Sequence, residues 1–209
     1  MKIFGLLVYL INYILIIVFG LKKLRLGSFV TKALLTPILL MIYLAENKEP
    51  ELPVILALFF CLLGDVLLEY PRFFIPGLLT FLVGHVFYGI SFLSDIGVGS
   101  PLPWWLFLFA ILYVSYGIVF CTRLSISDMK KKVAVSVYCG TILLVSFLSL
   151  LRAGSVTDYS FWMVLVGTLL FVTSDSILAY NRFQKRTRYG TIWVMATYGA
   201  AQLIIILGL

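Results

Sequence analysis

The sequence predicts an all-α membrane protein, a polytopic bundle of eight transmembrane helices with both termini on the non-cytoplasmic side. Two observations predict this class. First, 62% of the 209 residues are hydrophobic and only 12% are charged, whereas soluble domains carry about 25% charged residues. Second, the apolar residues form continuous runs. Such runs favour helices over an alternating β-barrel, because every backbone group must be paired inside the bilayer.

Eight apolar runs approach the length of about 20 residues that a membrane span requires. The first is longer than the apolar region of a signal peptide and is interpreted as a span, and the third is short. The connections are short too, so residues 1–209 are predicted to form a single transmembrane domain. In order, the predicted spans are residues 3–21, 29–45, 53–68, 74–94, 104–121, 133–151, 161–179 and 190–208.

The distribution of lysine and arginine predicts the orientation, since cytoplasmic loops are enriched in these residues. The loops after spans 1, 3, 5 and 7 carry 12 of the 16 cations, and the opposite side carries 3. Both termini are therefore expected outside, and the basic loops in the cytoplasm. The same bias accounts for the net charge of +7, so no nucleic-acid partner is expected.

An internal repeat relates the two halves of the chain. A shift of 110 residues aligns D-V-L-L-E-Y-P-R-F, which begins at Asp65, with D-S-I-L-A-Y-N-R-F, which begins at Asp175. Over the 25 positions from Asp65 to Gly89, seven residues are identical. We expect a 4+4 duplication with pseudo-repeats of about 1–100 and 101–209. Because four helices is an even number, the two repeats would be parallel.

Asp65 and Asp175 are the strongest candidates for functional residues. Each lies inside an apolar run, and a carboxylate at the bilayer centre costs about 2.5–3.5 kcal/mol on insertion scales. The predicted topology puts both in the cytoplasmic half of the membrane. The alternative interpretation of each is a structural ion pair with Lys32 or an arginine.

Further polar residues are predicted in the same half of the bilayer. Tyr198 and Gln202 are four residues apart and share a helix face. Because isolated polar groups in lipid are costly, we expect these residues to line one internal cavity that opens to the cytoplasm. The predicted lining comprises Lys32, His85, Tyr138, Asn181, Tyr198 and Gln202. As an alternative, Lys32 could extend to the lipid headgroups and the others could join neighbouring helices.

Other common chemistries find no support in the sequence. There is one histidine and no metal-ligand spacing. The three cysteines lie in apolar runs without a C-x-x-C motif, and the G-x-S-x-G motif is absent. No metal and no other cofactor is expected. An enzyme built from these residues would use carboxylate acid–base chemistry.

Five stretches resemble the YhhN family of integral membrane lysoplasmalogenases. They occur in the family's order and extend over nearly the whole chain. The GD, GH and SD pairs within them are specific as a set. The stretches are T-K-A-L-L-T-P-I-L-L (31–40), L-L-G-D-V-L-L (62–68), F-L-V-G-H-V-F-Y (81–88), G-T-L-L-F-V-T-S-D-S-I-L-A-Y-N-R-F (167–183) and Y-G-A-A-Q-L-I-I (198–205).

The resemblance implies hydrolysis of the vinyl ether bond of lysoplasmalogens, which releases a fatty aldehyde and glycerophosphoethanolamine or glycerophosphocholine. A carboxyl that stays protonated in an apolar pocket could protonate the alkene carbon. A second, ionised carboxylate could stabilise the oxocarbenium ion and activate water, as in glycosidases. We expect Asp65 and Asp175 to be this pair, and whichever lies near Lys32 to stay ionised. The expected partners are a lysophospholipid substrate and membrane lipids.

Two other functions fit the same features. Internal repeats with buried charges are also typical of proton-coupled transporters of small molecules or lipids. A hydrolase of another lipid bond, an ester or an amide, would need similar residues. The compact loops favour a bacterial inner membrane as the location.

Overall fold

The computed structural model describes residues 2–96 and 104–209. Over these ranges the chain forms eight α-helices and two short 3-10 helices, with no strand. The eight predicted spans are therefore confirmed as helices, while the predicted boundary between the two halves, at residues 100–101, lies outside the described ranges. The α-helices are α1 Lys2–Leu21, α2 Arg25–Glu46, α3 Leu52–Leu68, α4 Phe74–Asp95, α5 Leu108–Arg123, α6 Met129–Leu151, α7 Asp158–Phe183 and α8 Gly190–Gly208; the 3-10 helices are Pro71–Phe73 and Trp104–Phe107.

Several helices extend beyond the apolar runs that predict them, because polar caps lie outside those runs. The Asp128 carboxylate accepts hydrogen bonds from the backbone N–H groups of Lys130 (2.9 Å) and Lys131 (3.4 Å) and so begins α6. The Thr157 hydroxyl accepts one from the N–H of Ser160 (3.3 Å) and begins α7. Such side chains satisfy backbone donors that have no partner within the helix.

Seven of the helices in the described part of the chain are long and apolar enough to cross a membrane. The exception, α3, has 17 residues and is about 25 Å long. The chain is thus a multi-pass membrane protein.

The helices pack around a main apolar core, with a smaller apolar cluster near the end of α6. Consecutive helices form the pairs α1–α2, α3–α4 and α7–α8, α4 packs on α6, and α8 packs on α1 and α2. In contrast, α5 has no buried residue and packs mainly on α6. The periphery of the bundle at α5 is therefore open, whereas the other helices enclose the core.

Glycines allow the closest helix crossings. A Cβ atom on Gly84 of α4 would lie 3.1 Å from the carbonyl oxygen of Ala57 in α3. On Gly167 of α7 it would lie 3.0 Å from the Ile205 nitrogen and 3.1 Å from the Ala201 oxygen of α8. Backbone atoms of a packed helix cannot move aside easily, so these two positions require glycine.

Replacement of Gly167 by leucine is expected to destabilise the bundle by about 1–3 kcal/mol, because the added atoms overlap the α8 backbone. The Tm of the purified protein in detergent measures this effect. The matched control is Gly140→Leu in α6, where an added Cβ meets no atom within 4 Å. An equal loss of Tm in both variants would contradict the role of close packing at Gly167.

A buried ion pair joins the helix ends at the side of the bundle opposite the basic loops. Arg152, only 1% exposed, pairs through Nη2 with Asp95 Oδ2 at 2.7 Å and donates a hydrogen bond to Ser160 Oγ at 2.9 Å. The Ser160 hydroxyl donates in turn to the carbonyl oxygen of Gly208 (2.6 Å). The ends of α4, α6, α7 and α8 are thus held together by polar contacts.

Candidate functional site

Three helices surround the carboxylate of Asp65, which is 2% exposed and lies near the end of α3. Lys32 Nζ of α2 is 3.5 Å from its Oδ1 atom. Its Oδ2 atom accepts hydrogen bonds from the Tyr198 hydroxyl of α8 (2.7 Å) and the Thr36 hydroxyl of α2 (3.3 Å). One cation and two hydroxyl donors therefore compensate the burial of this carboxylate.

The sequence of α2 accounts for the placement of the cation. Lys32 and Thr36 are four residues apart, so both side chains face α3 from the same side of α2. Pro37 follows inside the helix and has no N–H to donate to the carbonyl of Ala33. The helix is thus weakened one residue from the contact between Thr36 and Asp65.

A hydrogen-bonded chain continues from Asp65 into the core. Gln202 Nε2 donates to the Tyr198 hydroxyl (3.4 Å), and the Tyr88 hydroxyl donates to Gln202 Oε1 (2.8 Å). Tyr198 and Gln202 therefore share the face of α8 that contacts α3 and α4, as the sequence predicts a shared face. Both side chains are buried, and their polar groups bond each other and Asp65.

Asp175 of α7 has a different environment. It is partly exposed and accepts a hydrogen bond from the Tyr138 hydroxyl of α6. The ion pairs found among the described residues join Lys32 to Asp65, Lys131 to Asp128 and Arg152 to Asp95, and none of them includes Asp175.

Aromatic side chains connect the surroundings of the two carboxyl groups. The His85 ring packs edge-on against Tyr138, with centroids 5.6 Å apart, and against Phe171 at 4.4 Å. Phe171 packs edge-on against Tyr198 at 5.3 Å. Contacts thus lead from Asp175 through these rings to Asp65. The sequence analysis missed Phe171, because a phenylalanine in an apolar run looks the same whether it faces the core or lipid.

His85 is buried and oriented by its own helix. Its Nδ1 atom donates a hydrogen bond to the Phe81 carbonyl oxygen (2.8 Å), since a carbonyl only accepts. The Nε2 atom has no hydrogen-bond partner among the described residues. The ring therefore offers one unused polar atom beside Phe171 and Tyr138.

Among the described residues, Asn181 forms no hydrogen bond with the other predicted site residues. Its side-chain oxygen accepts hydrogen bonds from the backbone N–H (3.0 Å) and the hydroxyl (2.9 Å) of Thr187, and its side chain packs against Gly190. Asn181 therefore closes the turn between α7 and α8. Of the eight predicted site residues, the structure connects the other seven through ion-pair, hydrogen-bond or ring contacts.

A small cavity and a larger groove lie near these residues. A cavity of about 10 Å³ lies beside His85 and Tyr88. A groove of about 550 Å³ lies between α5 and α6. The polar side chains themselves are packed against one another. No group of three or more histidine, cysteine, aspartate or glutamate side chains suited to a metal ion occurs in the described ranges.

Comparisons with known proteins agree on one family. The YhhN family profile matches residues 27–209. The chain is 32% identical over 144 residues to lysoplasmalogenase TMEM86B of Homo sapiens and 28% identical over 151 residues to that of Mus musculus. Each alignment covers 69% of this chain and 57% of the relative, so the chain spans a little over half the length of these relatives. No solved structure matches the chain.

Proposed function

Because the chain belongs to the YhhN family, we propose that it hydrolyses the vinyl ether bond of lysoplasmalogens. The products are a fatty aldehyde and glycerophosphoethanolamine or glycerophosphocholine. The observation that carries the proposal is the unequal environment of the two carboxyl groups. Asp65 has a cation at 3.5 Å, whereas Asp175 is bonded by a neutral phenol. Protonation of the alkene carbon needs a carboxyl group that holds its proton, and an ionised carboxylate nearby stabilises the cation that forms.

The unequal environments support different roles for the two carboxyl groups. Lys32 and two hydroxyl donors favour the ionised form of Asp65. Asp175, which has no ion-pair partner among the described residues, carries the proton. Asp175 is the general acid, and Asp65 supplies the negative charge that stabilises the cationic intermediate.

The reaction then proceeds in three steps. The Asp175 carboxyl transfers its proton to the β carbon of the vinyl ether, which leaves a carboxylate and an oxocarbenium ion. Water adds to the α carbon and loses a proton to the Asp175 carboxylate, so the acid is regenerated and a hemiacetal forms. The hemiacetal collapses to the aldehyde and the free glycerol hydroxyl. One water is consumed, and no metal or redox cofactor is required by this balance.

The neighbouring polar residues position these groups. Tyr138 orients Asp175 through its hydroxyl, while Tyr198 and Gln202 orient Asp65. The unpartnered Nε2 atom of His85 holds the attacking water or a substrate hydroxyl. Water reaches the site at the partly exposed Asp175, on the side of the basic loops.

The 4+4 repeat and the external termini belong to the same proposal. Helix neighbours support the repeat, since α2–α3 and α3–α4 correspond to α6–α7 and α7–α8, and α4–α6 corresponds to α8–α2. On the corresponding helix pairs, Lys32 of α2 contacts Asp65 and Tyr138 of α6 contacts Asp175. The second half therefore lacks the cation, which explains why equivalent carboxyl groups have different environments.

The test is aldehyde release by the purified protein in detergent or in proteoliposomes. Lysoplasmalogen is compared with the acyl lysophospholipid that has the same headgroup and chain length. Aldehyde from the vinyl ether, with no fatty acid from the ester, is the expected result. Cleavage of the ester alone would refute the vinyl ether assignment.

A further inference from the structure

A groove between α5 and α6 lies beside the candidate site. One face of each helix lines it, and its lining is almost entirely apolar. Along α5 it runs from Ala110 to Cys121, which is about 16 Å of helix. Its volume of about 550 Å³ lies within the range of about 300–1,000 Å³ that is usual for ligand pockets.

One end of the groove is strongly basic. Arg123 ends α5 two residues after the groove residue Cys121, and α6 begins with Lys130, Lys131 and Lys132 before the groove residue Ser136. Arg123, Lys130 and Lys132 are exposed, and Lys131 pairs with Asp128 at 3.4 Å. An apolar groove with a cationic entrance is complementary to a lipid whose hydrocarbon chain lies in the groove and whose phosphate group lies at the entrance.

The same end adjoins Asp175. Tyr138, which donates to the Asp175 carboxyl group, directly precedes the groove residue Cys139. On α5, the Tyr116 hydroxyl is 2.7 Å from the hydroxyl of Ser176, the residue after Asp175. One hydrogen bond from α6 and one from α5 thus connect Asp175 and its neighbour to this end of the groove, which is itself lined by α5 and α6.

We infer that the groove between α5 and α6 binds the alkenyl chain of the lysophospholipid, with the phosphate at the basic entrance. This inference rests on the proposed function. In a lysoplasmalogen the scissile bond joins the hydrocarbon chain to the glycerol, so this binding mode puts the vinyl ether beside Asp175. This binding mode also gives α5 a function, because the open packing of α5 lets a hydrocarbon chain enter the groove sideways from the bilayer.

Gly140 offers a way to fill the groove without disturbing the fold. It lines the groove, and an added Cβ meets no atom within 4 Å. Gly140→Phe is expected to raise KM for a long-chain lysoplasmalogen about tenfold, because about two methylene groups lose their burial. KM for a short-chain substrate and the Tm should change little. The matched control is Val137→Phe, on the same helix but outside the groove lining and 54% exposed.

A binding measurement separates this inference from the proposed reaction. The probe is an alkyl ether lysophospholipid, which cannot be hydrolysed as a vinyl ether, with a photoreactive diazirine in its chain. Cross-links are expected on α5 and α6 near Gly117 and Leu143, both groove residues. They should decrease in Gly140→Phe and under competition by lysoplasmalogen, but not under competition by diacyl phospholipid.

Each result has a distinct meaning. Cross-links on other helices, competition by diacyl lipid, or an unchanged KM in Gly140→Phe would overturn the groove as the chain site while leaving hydrolysis intact. Specific cross-links in the groove without aldehyde release by the unmodified protein would refute the proposed reaction and retain the lipid site.

Discussion

Asp175→Asn is expected to release aldehyde about 10²–10⁴-fold more slowly than the unmodified protein, which is the usual contribution of a general acid. The amide has nearly the same shape and still accepts the hydrogen bond from Tyr138, but it has no acidic proton for the alkene carbon. Initial rates of aldehyde release from lysoplasmalogen measure the effect, and the Tm in detergent verifies that the bundle is intact.

The control for this substitution lies on the same helix. Asp158 is exposed in the first turn of α7, at the opposite end from Asp175. Asp158→Asn should keep nearly the full rate. A nearly normal rate in Asp175→Asn would instead remove Asp175 from the mechanism.

Asp65→Asn is expected to abolish activity and also to destabilise the protein by about 3–5 kcal/mol, because the charge of Lys32 would remain buried without its partner. The double variant Lys32→Met/Asp65→Asn removes both charges. It should recover most of the Tm and remain inactive, since the carboxylate that stabilises the oxocarbenium ion is absent. Unfolding in detergent and aldehyde release are measured on all three variants, including Lys32→Met alone.

The double variant distinguishes catalysis from a structural ion pair. If the pair between Lys32 and Asp65 served only to join α2 to α3, the double variant would be both stable and active. A second pair provides the comparison: Lys131 and Asp128 lie 3.4 Å apart, with side chains 44% and 47% exposed. Asp128→Asn/Lys131→Met removes both charges and keeps a side-chain oxygen to cap α6. It should change Tm little, because exposed ion pairs contribute little to stability.

The helices were the most predictable feature of the chain. Apolar runs long enough to span a bilayer become helices because lipid offers no hydrogen-bond partner to the backbone. The helix ends were less predictable. For α6, the true start depends on the cap that Asp128 provides, and this polar turn lies outside the apolar run.

The membership of the candidate site was predictable in part. Polar side chains in apolar runs are costly enough to indicate Asp65, Lys32 and Gln202 from the sequence. Their pairing was not predictable, and the ion pair with Lys32 was one of several alternatives for either aspartate. Asn181 shows that a polar residue near the end of an apolar run need not belong to the site, because its side chain bonds Thr187 in the adjacent turn.

The partners of Arg152, at the other end of the bundle, were not predictable from the sequence either. A cation at the end of a span normally lies at the membrane surface, yet Arg152 is buried against Asp95 and Ser160. Its partners come from the ends of α4 and α7, which are distant in sequence. Only the packing of these helices brings the three side chains together.

The sequence by itself determined that this chain is a multi-pass helical membrane protein with two carboxyl groups in its apolar runs. Run length and the cost of inserting a charge are local properties, so they can be read from the order of residues. The tertiary structure decided that Lys32 accompanies Asp65 and not Asp175, and that α5 leaves a groove beside α6. Coulomb attraction and steric access depend on distances of a few ångströms between helices, and those distances arise only when the helices pack.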